Sequence, residues 1–336
     1  MSGSAKQIVA LSAIVLLALL LTGLVTGAIG SAVFGGEDAD PVFVEQPSPH
    51  IPPQKLSIDK CEDKTTHEYY APTDGECAAG DKAKYDITEK DGFVITNTLL
   101  SSWFVSLLLI ALFFFGTRRM ETVPRGLQNF VEFAVEALYG FVQSVAGNEN
   151  GRRFFPLIGT IFFFVLLNAW VGLLPFYPTL GYDAKSFLFT TDPIHTHLLR
   201  PAGTDLNMPL ALALASFVFV EYWGIRMLGV GYFGKFVRLE NLRKGNFLQV
   251  PIDIFVGVLE LLSEFVRIVS FTFRLFGNMT AGEILLLVIT YLVPFVAVVV
   301  FYGLELLVGI IQALIFAGLT LVFVVLAVTP HSEEEH

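Results

Sequence analysis

The chain has 336 residues, of which 54% are hydrophobic and only 15% charged, and it carries a net charge of −10. Soluble domains carry about 25% charged residues, so this composition excludes an ordinary soluble globular protein and indicates a polytopic membrane protein. No basic patch interleaves with aromatic residues, which excludes nucleic-acid binding of the usual kind.

Apolar stretches occupy about 8–33, 97–116, 154–176, 208–228, 252–290 and 292–328. Each has the length of a membrane helix or more. The expectation is an all-α polytopic membrane protein with about five to six membrane helices.

Residues 1–34 form an N-terminal apolar segment. Lys6 precedes an apolar run from Ile8 to about Thr26, followed by the small residues Gly27, Ala28, Gly30, Ser31 and Ala32. This pattern fits a signal peptide with a small-residue cleavage region, and it equally fits a retained helix of about 20 residues. The reading taken is the retained helix.

The negative charge is concentrated in residues 35–95, where fourteen Asp/Glu face six Lys. With Pro41, Pro47, Pro49, Pro52 and Pro53, this reads as an acidic, partly irregular extramembrane insert. Both cysteines, Cys61 and Cys77, lie in it. They form either one disulfide, if the insert faces an oxidising side, or two free thiols.

Residues 96–330 make the membrane domain, and 331–336 a short tail. The connection 117–153 holds Arg118, Arg119, Arg125, Arg152 and Arg153, and 229–250 holds Lys235, Arg238, Arg243 and Lys244. The connection 179–207 has only Lys185 and Arg200. The positive-inside rule therefore puts the first two and the C-terminal tail in the cytoplasm, and 179–207 and 35–95 outside. Asn168, inside 154–176, could bond across helices, but a packing role is expected. His195 and His197 read as a solvated loop, since no further ligand spacing accompanies them. Asp205 and Asn207 sit at the outer end of 208–228, either lining a polar path or capping the helix before Pro209. Glu221 lies deeper in the same segment.

The last two segments are too long for simple spans. Residues 252–290 lack proline and would run about 58 Å as one helix, against a hydrocarbon core of ~30 Å; 292–328 would run about 55 Å. Such helices tilt, kink or break. Either each divides in two, at Gly277 and near Gly309, or the two are steeply tilted and form an antiparallel hairpin turning near residues 291–294.

Along 252–290, at about 100° per residue, Glu260, Arg267 and Arg274 share one face. Asn278 stays near it, Ser263 and Ser270 flank it, and Glu283 lies on the far side. Glu264 and Arg267 have the spacing of an i,i+3 ion pair, with Arg267 expected near the headgroups. Ser263 and Ser270 taken alone could simply bond the carbonyls of the preceding turn. A hairpin would bring Glu283 beside Glu305, and Arg274 beside Gln312. Arg274 is the sharpest feature. An arginine at a bilayer centre costs ~2.5 kcal/mol or more and marks a charge pathway by default, and it cannot shed its proton.

The run Arg274-Leu275-Phe276-Gly277-Asn278-Met279, continuing to Ala281-Gly282-Glu283, resembles the signature of subunit a of F-type ATP synthases, and Gln312-Ala313-Leu314-Ile315-Phe316 resembles that family's second signature. The resemblance covers roughly residues 93–330. It implies an ion-conducting stator, not itself an enzyme, in a bacterial plasma membrane. Its two long helices would lie against a ring of c-subunit proteolipids, with peripheral-stalk b subunits and the rest of the F-type ATP synthase as further partners besides membrane lipid. It implies an essential Arg274 between two half-channels. The outer one would be lined by Glu283, Glu305, Gln312, Asn278, Asp205 and Asn207, and the cytoplasmic one by Glu260, Ser263 and Ser270. Where many family members have a histidine in the 283/305 pair, both positions here are Glu. No Gly-x-x-x-x-Gly-Lys-Ser/Thr loop, metal site or cofactor motif is present. The rival reading is an ion-coupled secondary transporter with an intramembrane arginine, although the internal repeats common in such proteins are not evident.

Overall fold

A computed structural model of the chain describes residues 3–29, 96–118, 120–174, 196–229 and 250–329, with Tyr177, 180–183, 186–188, Tyr232 and the strand segments 60–62, 69–70 and 82–84. Six helices carry the architecture: α1 (Gly3–Thr26), α2 (Asn97–Thr117), α3 (Leu127–Gly172), α4 (Asn207–Leu228), α5 (Val250–Leu292) and α6 (Val296–Val328). By length and composition α2, α3, α4 and α6 can each cross a membrane, and α1 adds a shorter apolar run, Leu11–Thr26. The strands are only two or three residues long. Lys60–Glu62, Tyr69–Tyr70 and Lys82–Lys84 pair antiparallel in the acidic insert, and Gly181–Asp183, Ser186–Leu188 and Thr196–His197 do so between α3 and α4. The Cys61 and Cys77 side chains, the His195 and His197 side chains, and the tail 331–336 fall outside the described residues.

The last two segments are not divided. α5 is one helix of 43 residues and α6 one of 33, so the reading with breaks at Gly277 and Gly309 is overturned in favour of the antiparallel hairpin. At about 1.5 Å per residue, α5 is about 64 Å long, far more than a bilayer core, and must tilt or project. The reversal is confined to residues 293–295. Phe295 has φ 74°, a conformation few non-glycine residues adopt.

The connection 117–153 also differs from expectation, because much of it is helix. Val131, Leu138 and Val142 are buried at helical spacing, so the first half of α3 has an inward stripe. Gly147, with φ 76° and ψ 169°, kinks α3 and separates this half from the apolar half. Only a residue without Cβ takes that conformation readily.

α6 is the central helix, packing on α3, α4 and α5. Its inward residues Ala313, Phe316, Ala317, Leu321, Val324 and Val328 form one core with Phe154, Ile158 and Val165 of α3, Ala213 and Val220 of α4, and Phe271 and Leu275 of α5. Close approach depends on small residues: a Cβ on Gly309 would press on Ala169 and Trp170 of α3. Ser216 and Thr320 share a buried hydrogen bond of 2.8 Å between α4 and α6. Asn168 is buried in the packing of α3, as expected, and bonds within its own helix. Its Nδ2 donates to Phe164 O of its own helix at 2.9 Å.

Two further contacts frame the hairpin. α1 rests on its turn through Gly23 and Gly27, where a Cβ would overlap the carbonyl oxygens of Pro294 and Leu292. The loop before α4, including a 3-10 turn at Ala202–Thr204, lies on α2, α3 and α5.

Candidate functional site

The site is built around one face of α5. Phe271 and Leu275 point into the core, whereas Phe273, Gly277, Asn278 and Ala281 are exposed. Arg274 lies between, partly exposed. Its guanidinium carbon sits 5.8 Å from the centroid of the Phe271 ring. Among the described residues no carboxylate pairs with it. A cation that cannot deprotonate is thus held at the edge of the hairpin without a counter-ion from those residues.

One turn on from Arg274, Asn278 Nδ2 donates to Gln312 Oε1 at 2.6 Å. Gln312 is buried, at 2% exposure. The contact Gln312 makes with α5 is thus with Asn278, one turn beyond Arg274. Two turns back along α6 toward the hairpin turn, Glu305 lies against α5, close enough that a Cβ on Gly282 would overlap its carboxylate. Glycine at 282 leaves that carboxylate its place. These two contacts realise the antiparallel register expected from the spacing of 283, 305, 274 and 312.

Glu283 is held in an ion pair by a cation from outside the hairpin. Arg200 Nη2 donates to Glu283 Oε2 at 3.1 Å. Arg200 is 8% exposed and stands at the head of a closely packed loop. Pro201 lies against Gly172 of α3 and Gly203 against Met279 of α5, each at a distance that a Cβ on the glycine would crowd. Thr204 Oγ1 donates to Pro201 O at 2.8 Å. Asp205 Oδ2 accepts from Thr98 Oγ1 of α2 at 2.8 Å, and its Oδ1 accepts from the Asn207 backbone N–H and side-chain amide at 3.1 and 3.0 Å. Asp205 therefore does satisfy the start of α4, and it is also part of a buried polar cluster with α2.

At the other end of α5, Ser263 and Ser270 lie on the exposed face and Glu260 is partly exposed. Glu264 and Arg267 form the expected i,i+3 ion pair. The Arg267 guanidinium lies over the Phe323 ring of α6, 3.8 Å from the centroid, a cation–π contact. Glu221 of α4 accepts a hydrogen bond from Tyr232 Oη at 2.9 Å. Burial, followed by the hydrogen bond and charge of Glu221, pushes the Tyr232 phenol well above its ordinary pKa.

Arg200 is the member of this site that sequence reasoning missed. The one available signal was a lone arginine before a proline in a connection otherwise poor in basic residues. The pairing spans 83 residues of chain, beyond the reach of any helical periodicity.

Residues 99–325 match the family described as ATP synthase A chain. The chain is 39% identical over 237 residues to the ATP synthase subunit a of Gloeobacter violaceus, a stretch covering 70% of this chain and 85% of that one.

Proposed function

The chain belongs to the ATP synthase subunit a family, and we propose that it conducts ions, protons in this reading, as the stator of a rotary Fo motor. Members of this family are membrane subunits of the F-type complex. The finer assignment is ours: α5 and α6 lie against a ring of c-subunits, and Arg274 faces the ring carboxylates. Peripheral-stalk b subunits hold the stator in place.

The observation that carries the reading is the state of Arg274. It is a permanent cation on a face open beyond the hairpin, with no carboxylate partner among the described residues. A permanent charge in a membrane-spanning segment calls for an opposite charge, and a carboxylate on a passing ring subunit supplies one.

In this mechanism protons enter from outside by a polar half-channel comprising Asp205, Asn207, Asn278, Glu283, Glu305 and Gln312. They neutralise a ring carboxylate, which can then turn through lipid as an uncharged acid. On its return the carboxyl releases its proton to a cytoplasmic half-channel flanked by Glu260, Ser263 and Ser270. Arg274 separates the two. It attracts the ionised ring carboxylate and repels cations that would otherwise leak from one half-channel to the other. Lysine is a poor replacement, since a buried Lys can lose its charge. A membrane potential biases the cycle by about 2.3 kcal/mol per charge for each 100 mV. In this arrangement residues 35–95 lie outside and the C-terminus in the cytoplasm of a bacterial plasma membrane. Support for the paired carboxylates comes from the contact of Glu305 with the Gly282 backbone, next to Glu283.

The test is ATP-driven proton pumping in inverted vesicles carrying Arg274→Ala. Loss of pumping with an assembled complex is expected. Undiminished pumping would remove Arg274 from the path and the reading with it.

A further inference from the structure

Neighbouring residues on α5 meet different charges. Gly282 faces the Glu305 carboxylate, while Glu283 is tied to Arg200 in the loop before α4. The loop itself has little freedom. It is pinned to α3 through Pro201 and Gly172, to α5 through Gly203 and Met279, and to α2 through Asp205 and Thr98. The Arg200 guanidinium is therefore presented from a fixed base, at 3.1 Å from Glu283 Oε2. Glu283 is only partly buried, its side chain 31% exposed, so without Arg200 its carboxylate would have several rotamers open to it.

We propose that Arg200 is a positioning residue of the outer half-channel, acting through Glu283: it fixes the Glu283 carboxylate beside the site of proton transfer. This inference rests on the half-channel reading above. Among the described residues Glu283 is paired with Arg200 of the loop, and the Glu305 carboxylate of α6 lies against the adjacent Gly282. Removing Arg200 takes this cation away from Glu283, leaves the Glu305 carboxylate close to the neighbouring Gly282, and frees the Glu283 side chain. The bond is single, from one terminal nitrogen, so a lysine can reproduce most of it although it lacks the planar fork.

The experiment measures ATP-driven proton pumping by the complete complex in inverted vesicles, with assembly quantified in each strain. Arg200→Ala is expected to slow pumping about tenfold, equivalent to ~1.4 kcal/mol of barrier, and Arg200→Lys to restore most of the rate. In a Glu283→Gln background, Arg200→Ala should add less than about a twofold loss, because coupled residues are not additive. Equal losses from Arg200→Ala in both backgrounds would overturn the proposal, as would an unchanged rate. If Arg200→Ala does not assemble, Arg200→Gln and Arg200→Lys make the same comparison: Gln slow and Lys near normal supports the inference, and equal rates overturn it. Arg274→Ala in the same vesicles separates the two levels. Normal pumping there removes the half-channel reading itself; no pumping there with normal Arg200 variants removes only the role of Arg200.

Discussion

The Asn278 side-chain amide donates to the Gln312 carbonyl oxygen at 2.6 Å, joining α5 to α6 one turn beyond Arg274. The bond ties the two helices of the hairpin together one turn from Arg274, which has no carboxylate partner among the described residues. Gln312 is buried and Asn278 is exposed, so the two ends of the bond are unequal.

That inequality predicts unequal mutants. Asn278→Ala strands the buried Gln312 acceptor and should cost about 1–3 kcal/mol. Asn278→Ala combined with Gln312→Leu should recover part of that loss, because the stranded Gln312 amide is then gone. Thermal denaturation of the purified complex in detergent reads both. A double variant less stable than Asn278→Ala would show that the stranded Gln312 amide is not the source of the loss.

Gly282→Ala should disturb the half-channel by displacing the Glu305 carboxylate, into whose place the new methyl would project. Proton pumping should drop severalfold with the complex still assembled. Normal pumping would mean that the carboxylate position is immaterial.

The two carboxylates are expected to share one task. Glu283→Gln and Glu305→Gln should each slow ATP synthesis in right-side-out vesicles, and the double variant should slow it far more than either. Unchanged synthesis in the double variant would take both residues out of the proton path.

Tyr232 gives a prediction in pH. Its phenol is pushed above the ordinary value, chiefly by burial and then by Glu221. A raised folded-state pKa adds stability that is complete below the unfolded value of about 10 and is lost as pH rises beyond it. Between neutral pH and about 9 the stability contributed by this group should be flat, then decline. Tyr232→Phe should remove that alkaline component, as measured by melting temperature against pH.

The contact of α1 with the hairpin turn predicts that α1 stays in the assembled protein. Gly23→Leu with Gly27→Leu should dislodge it, since both positions abut the carbonyls of Leu292 and Pro294. Intact-mass spectrometry of the native subunit checks the premise. A chain beginning near residue 33 would contradict it.

Much of this fold is legible in the sequence, for identifiable reasons. Segment length and the absence of proline between 252 and 290 point to helices too long to stand upright, and the symmetric spacing of Glu283 and Glu305 about the turn gives the register. The rest depends on contacts that local periodicity does not encode. Arg267 stacks on Phe323 because α6 passes there, and Arg200 reaches Glu283 because the loop before α4 folds back onto α5. The kink at Gly147 was equally hidden, since a glycine in a polar stretch reads as a loop. Leu275, next to Arg274 in sequence, is 1% exposed and belongs to the core, whereas Gly277 is open.

The central claim is that the Arg274 face of α5 meets a rotor ring. It is tested most directly by placing a single cysteine at Gly277, where a Cβ meets nothing within 4 Å, with Cys61 and Cys77 replaced by serine. A short thiol-linked photocrosslinker is then activated in native membranes. The account predicts a product with a small, multi-copy hydrophobic subunit. A folded, abundant protein that yields no such product would show that Arg274 faces something else.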